Sequence, residues 1–218
     1  MVIFDCNGVL VDSEPIAAAV VAEELGRAGI PIAAEAIIRY FAGRRPVDML
    51  ADIEVATGRR LPAGFAARIA EATIARFRTE LRAMPHAAHA LSWLRGPKCV
   101  ASSSTRDRIR VSLETTNLIR FFEPHLYSGA AVAHGKPAPD LFLHAAKRMH
   151  AAPADCIVVE DSAVGIAAAR AAGMTPIGFI GGRHAAPELA VQLTAAGARA
   201  IVADMRALKG TIVDLRGW

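Results

Sequence analysis

The chain has 218 residues, 53% of them hydrophobic and 21% charged, with 17 Gly and 12 Pro, a balance that excludes disorder and collagen-like order. It suits one globular domain, or a domain carrying a modest insertion. Lys plus Arg number 25 against 21 Asp plus Glu, and the formal +4 is spread over small clusters such as Arg44-Arg45, Arg59-Arg60 and Arg106 to Arg110, which favours small anionic ligands over a nucleic-acid stripe.

No basic N-terminal region precedes an apolar signal core, and the Ala-rich stretch from Pro15 to Ile38 is broken by Glu23, Glu24, Arg27 and Glu35. The expectation is therefore neither secretion nor a membrane span. The three cysteines, Cys6, Cys99 and Cys156, lack CxxC spacing and each lies in or beside an apolar run. They read as buried reduced thiols of a cytoplasmic protein.

In chain order, a first strand is predicted at Val2 to Phe4. The β pattern then disappears between Ser13 and about Pro85, where helices are predicted at Ile16 to Ala28, Ala34 to Phe41, Val47 to Thr57 and Gly64 to Arg82. Further strands are predicted at Lys98 to Ala101, Cys156 to Val159, Pro176 to Phe179 and Ala200 to Val202. Helices at Leu141 to Met149 and Val164 to Ala172 intervene, the latter stopped by Gly173. The expected architecture is an α/β, Rossmann-like parallel sheet core built from 1–13 and 86–218, with an inserted all-helical cap over 14–85. Ligands of such sheets bind beyond the carboxyl ends of the strands.

Four segments place reactive groups at that edge. Asp5-Cys6-Asn7-Gly8-Val9-Leu10-Val11-Asp12-Ser13-Glu14 puts a carboxylate directly after the first strand, where a charge is costly without a purpose. Ser102-Ser103-Ser104-Thr105 ends the second predicted strand and enters a helix, and hydroxyls with free N–H groups at a helix start suit phosphate. Lys136, in His134-Gly135-Lys136-Pro137, is fixed by a Pro-rich turn and offers a positive charge. Glu160-Asp161 follows a Val-rich strand, and paired acids of this kind invite a hard cation such as Mg2+. Each motif alone has a bland reading, as a turn Asp, a helix cap, a solvated Lys or a surface acid pair. It is their conjunction at one sheet edge that carries the argument.

On these residues the chain resembles the haloacid dehalogenase superfamily, in the group of small phosphatases with a helical cap after the first strand that includes phosphoglycolate phosphatases and β-phosphoglucomutases. The resemblance implies that Asp5 is a nucleophile forming an aspartyl-phosphate, and that Ser102, the Ser103 backbone and Lys136 hold the phosphoryl group. It implies that Asp5, Asp161, the Asn7 backbone carbonyl and Glu160, directly or through water, bind Mg2+. Where the family's phosphatases carry a second Asp as general acid and base, this chain has Asn7, and an amide cannot exchange that proton. Impaired turnover is expected. Three readings of Asn7 stand: an amide introduced to trap a complex, a natural residue of a slow or repurposed member, or a proton supplied by another group. Asn7-Gly8 is also prone to deamidation, which regenerates Asp in a fraction of molecules.

The alternatives are a non-catalytic phosphometabolite-binding protein and a phosphomutase of the same fold. The phosphonate hydrolases of this superfamily use a cap lysine, and Lys98, Lys136, Lys147 and Lys209 all lie outside the expected cap. A dehalogenase would not need the metal acids. No GxSxG or GxGxxG motif is present. Arg44 and Arg45 are candidates to grip the substrate's non-transferred end, and Arg106 and Arg108 are further candidates. Cys6 is read as core packing, His184 as a loop residue at the site's rim, and His86 with His89 as lacking the third ligand of a metal site. The expected partner is a small phosphorylated metabolite, with no nucleic acid or membrane, and the expected state is a monomer, with dimerisation through the cap as the alternative.

Overall fold

A computed structural model describes residues 1–216; the last two residues of the expected core segment lie outside the described residues. The chain runs β1 (Val2–Phe4), α1 (Glu14–Arg27), α2 (Ala34–Phe41), α3 (Pro46–Thr57), α4 (Phe65–Glu80), α5 (Ala87–Trp93), β2 (Lys98–Ser102), α6 (Arg106–Thr115) and β3 (Leu126–Ser128). It continues with α7 (Asp140–Arg148), β4 (Ile157–Glu160), α8 (Ala163–Ala171), β5 (Thr175–Phe179), α9 (Leu189–Ala196), β6 (Ala200–Val202) and α10 (Leu208–Arg216). Four short 3-10 turns lie between these elements.

The strands form one parallel sheet in the order β3-β2-β1-β4-β5-β6. β1 is apolar throughout because both of its faces are covered. Val2 and Phe4 face one core with Val100, Val159, Ile177 and Phe179, while Ile3 faces the other with Cys99, Val158 and Phe142. The connections leave β1 toward β2 on one side and return to β4 on the other. The loops after β1 and β4 therefore flank the switch point, where a doubly wound sheet opens a crevice.

The five expected strands are present, and the structure adds β3, too short and too poor in aliphatic residues to show as an apolar run. α5 intervenes between the helical stretch and β2, and its Ala87, Ala90 and Leu91 pack in the sheet core. Between β1 and β2 all regular structure is helical, and α1 to α4 assemble their own apolar cluster, including Val21, Leu25, Ile37, Leu50, Ile53, Phe65 and Ile69. The ends of this segment are rooted elsewhere, since Ile16, Phe77, Leu81 and Met84 belong to the sheet core. Among the described residues, no helix is long and apolar enough to cross a membrane.

Candidate active site

The site is built from loops at the carboxyl edge of the sheet. The Asp5 N–H donates to the Val159 carbonyl at 3.0 Å, so the first loop starts in register with β4. Cys6 packs into the core as expected, and burial, reinforced by the Asp5 charge, pushes its thiol well above the usual range. Gly8 then turns the chain with φ of 70°, and a Cβ there would stand 1.8 Å from Asp161 Oδ2. Only glycine lets the first loop pass this close to the loop after β4.

Lys136 is the electrostatic hub. Its fully buried ammonium donates to Asp5 Oδ1 at 2.6 Å and also to Glu160 Oε1, and it stands 5.1 Å from the centroid of the Phe142 ring. Burial disfavours the charged amine, but the two carboxylates outweigh it and raise its pKa, so Lys136 stays protonated. Burial pushes Asp5 up to about 8; Lys136 opposes that shift, and the Glu160 and Asp161 charges add to it. Burial likewise raises Asp161 to about 6.

Ligand oxygens of Asp5, Glu160 and Asp161 lie within 4.8 Å of one another, all buried. A hard divalent cation fits this donor set and would relieve the mutual repulsion of the three acids. Glu160 has the least freedom of the three: Lys136 takes Oε1, while the Ser162 N–H and hydroxyl each donate to Oε2 at 2.8 Å. Asn7 donates from Nδ2 to Ser104 Oγ at 2.8 Å, leaving its buried Oδ1 without a partner.

Asp5, Asn7 and Asp161 border a cavity of about 490 Å3, lined on the sheet side also by Ser102 to Thr105 and Arg108, and on the other by α1 to α4 and the loop carrying Gly43 to Arg45. Ser102 is buried, and its oxygen accepts a long 3.4 Å bond from the Ser104 N–H. The Ser103 hydroxyl is committed elsewhere, donating to the Gly43 carbonyl at 2.7 Å and so tying the α2–α3 loop to the sheet edge.

Arg44 and Arg45 line the cavity, yet both are paired: Arg44 with Asp52 at 2.7 Å, and Arg45 with both oxygens of Asp48 at 2.7 and 3.0 Å. Arg45 also reaches the Val132 and Ala133 carbonyls, forming a second bridge from the helices to the sheet side. His184 is corrected from a rim position to a buried one: its side chain is 3% exposed, and Nε2 lies 2.9 Å from Asp161 Oδ2 without the alignment of a hydrogen bond. Burial favours its neutral ring, but the adjacent carboxylate outweighs this and raises His184 to about 9. The position of Gly181-Gly182 after β5, at the same edge as the other loops, was the available signal, and an Arg183–Asp12 ion pair fastens that loop to the first one. His86 and His89 join no metal cluster among the described residues.

The haloacid dehalogenase-like hydrolase family matches residues 1–173. The 6-phosphogluconate phosphatase of Escherichia coli is 32% identical over 187 residues, covering 85% of this chain and 85% of that protein. A fructose-1-phosphate phosphatase from the same organism is 32% identical over 176 residues, 80% of this chain and 93% of that protein. Among solved structures, a conserved haloacid dehalogenase-like protein of unknown function from Agrobacterium tumefaciens superimposes with a TM-score of 0.84 at 38% identity, covering 99% of this chain and 98% of that one.

Proposed function

The chain belongs to the haloacid dehalogenase-like hydrolases, and from that premise we propose that it is a Mg2+-dependent phosphatase of a small phosphorylated metabolite, acting through an aspartyl-phosphate on Asp5. Two relatives named for sugar phosphates support a phosphorylated sugar or a similar small ester. The observation that carries the reading is the convergence of Asp5, the serine loop and Asp161 on one cavity edge, with Lys136 bonded to Asp5 and Glu160.

In this reading the ester's phosphoryl oxygens sit on the Ser102 hydroxyl, the Ser103 N–H and the Lys136 ammonium. A carboxylate oxygen of Asp5 attacks phosphorus as the bond to the leaving oxygen breaks, and water later cleaves the acyl phosphate. Lys136 neutralises charge shared between Asp5 and the transferring group, which is positioning and electrostatics more than covalent work. Asp5, Asp161 and the Asn7 backbone carbonyl would hold Mg2+, while Glu160 fixes Lys136 and Ser162. Such a cation would supply charge neutralisation between the phosphate and the Asp5 carboxylate. The helices of residues 14–85 serve as a cap that excludes water, joined to the sheet side by Ser103–Gly43 and by Arg45.

Asn7 offers no proton to the leaving oxygen and takes none from water. This favours, as a second reading, a chain that binds the ester and turns it over slowly or not at all. The test is Mg2+-dependent phosphate release across a panel of metabolite phosphates, comparing this chain with Asn7→Asp and measuring deamidation by peptide mass. The expected result is a gain of about two to four decades in the Asp form, largest for poor leaving groups such as sugar alkoxides. If neither form releases phosphate while both bind esters, the binding-protein reading replaces the phosphatase.

A further inference from the structure

The cavity is unequal in its chemistry. Among the described residues that line it from α1 to α4, only Glu14 and Thr73 carry polar side chains, and the walls are otherwise set by residues such as Ile37, Phe41, Leu50 and Ile69. Three of the buried side-chain atoms that lack a hydrogen-bond partner belong to residues facing this space: Asn7 Oδ1, Thr73 Oγ1 and Arg108 Nε. Arg44 and Arg45 already have carboxylate partners, but Arg108 forms no ion pair among the described residues. Its guanidinium instead lies 4.9 Å from the centroid of the Phe77 ring, which fixes its plane against an apolar floor. Burial lowers its pKa, and the Glu14 charge counters that only in part. A guanidinium with five donors and no acceptor is costly to hold this way unless an anion visits it.

Resting on the phosphatase reading of the site, we infer that Arg108 receives a second anionic group, a carboxylate or a second phosphate, on the leaving portion of the ester. Where that portion meets the helix walls its surroundings are largely hydrocarbon, because α1 to α4 offer polar side chains only at Glu14 and Thr73. The substrate class is thus a phosphate monoester with a second acid on its leaving portion and an apolar face toward the helices. The planar fork of Arg108 suits either acid by paired N–H donation.

The experiment uses alkyl phosphates of two to six carbons in three matched forms: neutral at the far end, carboxylate-terminated and phosphate-terminated. Dissociation constants are measured by calorimetry with Mg2+ for the full chain, Arg108→Gln and Arg108→Lys. At the best spacer length the acid-terminated esters should bind at least about tenfold more tightly than the neutral one, the scale of a charged hydrogen-bonded pair. Which acid gains more tells carboxylate from phosphate. In Arg108→Gln that ratio should collapse toward one, and Arg108→Lys should keep part of it. No preference in the unmodified chain, or a preference that survives Arg108→Gln, overturns the assignment. So does an equal loss for all three esters, which would place Arg108 on the transferring phosphoryl group. Phosphate release by the Asn7→Asp chain reports separately on hydrolysis, so an intact, Arg108-dependent preference without turnover would retire the phosphatase reading while keeping the anion subsite.

Discussion

At residue 5 a carboxylate is held by a buried lysine, and at residue 7 an amide leaves its oxygen unmatched; the residue types of both were legible because they follow an apolar strand directly. Legibility fails where a role depends on a partner distant in sequence. Arg44, Arg45 and Arg108 are all ligand candidates by sequence, and only the fold separates them, pairing Arg44 with Asp52 and Arg45 with Asp48 while setting Phe77, from another helix, at the Arg108 guanidinium. The thiols were legible from apolar context alone, and their burial has a measurable consequence. Cys6, Cys99 and Cys156 are each 0% exposed, and burial pushes all three thiols up from an ordinary value of 9.0, Cys99 to about 12. A raised folded pKa keeps a proton that the unfolded chain releases above pH 9, so this stability is present below that pH and is lost as pH rises further. For Cys6 and Cys99 the loss approaches about 1.4 kcal/mol per pH unit per thiol. Urea midpoints should therefore fall between pH 9 and 11, less steeply in Cys99→Ala. A thiol reagent at pH 8 should label none of the three until denaturant is added; labelling of the native chain at the rate of free cysteine would contradict the burial.

Among the elements, helices with a long periodic pattern and strands with aliphatic runs were readable, whereas β3 and α5 were not. β3 offers only Leu126 and Tyr127 as apolar signals, and α5 is a seven-residue, Ala-rich turn of helix whose burial at Ala87, Ala90 and Leu91 comes from the sheet core. Nothing local marks either one; tertiary packing decides them. The loop between α2 and α3 is the element that brings helices and sheet edge together. Gly43 sits there at φ of 78°, its carbonyl accepting from Ser103, and a Cβ would stand 2.2 Å from Ser162 Oγ. Ser162 also holds Glu160 and accepts from the Gly165 N–H at the start of α8, so it cannot yield without disturbing the acid pair. Gly43→Ala should therefore raise KM for phosphate esters about tenfold or more, while backbone strain costs about 1–3 kcal/mol of stability. Ser103→Ala removes a hydrogen bond without a clash and should shift KM less, with about 1 kcal/mol lost. Steady-state kinetics beside thermal melts separate the two effects, and an unchanged KM in Gly43→Ala would remove this loop from ligand enclosure.

For the molecule as a whole, stability is shared among apolar clusters, three of them among the described residues. Two flank the sheet, and the third lies within α1 to α4. α4 joins them, with Phe65 and Ile69 in the helical cluster and Phe77 in the sheet core. A segment with its own apolar core, which shares the larger core at its ends and is otherwise tied to the sheet side by hydrogen bonds at Gly43 and Arg45, can open without unfolding the rest. The all-helical stretch after Ser13 was legible from the loss of β pattern, whereas the rooting by Ile16 and Phe77 depends on three-dimensional placement. Two truncations distinguish the arrangements. Phe77→Ala, in the shared core, should cost about 3–5 kcal/mol and lower hydrogen-exchange protection everywhere. Ile53→Ala, 1% exposed in the helical cluster, should remove about 2–5 kcal/mol from that cluster and speed exchange in α1 to α4, while amides of β1 and β4 keep their protection. If Ile53→Ala speeds strand and helix exchange by the same factor, the helices and the sheet form one cooperative unit, and admission of a ligand must occur by loop motion at Gly43 instead of by opening of the helices.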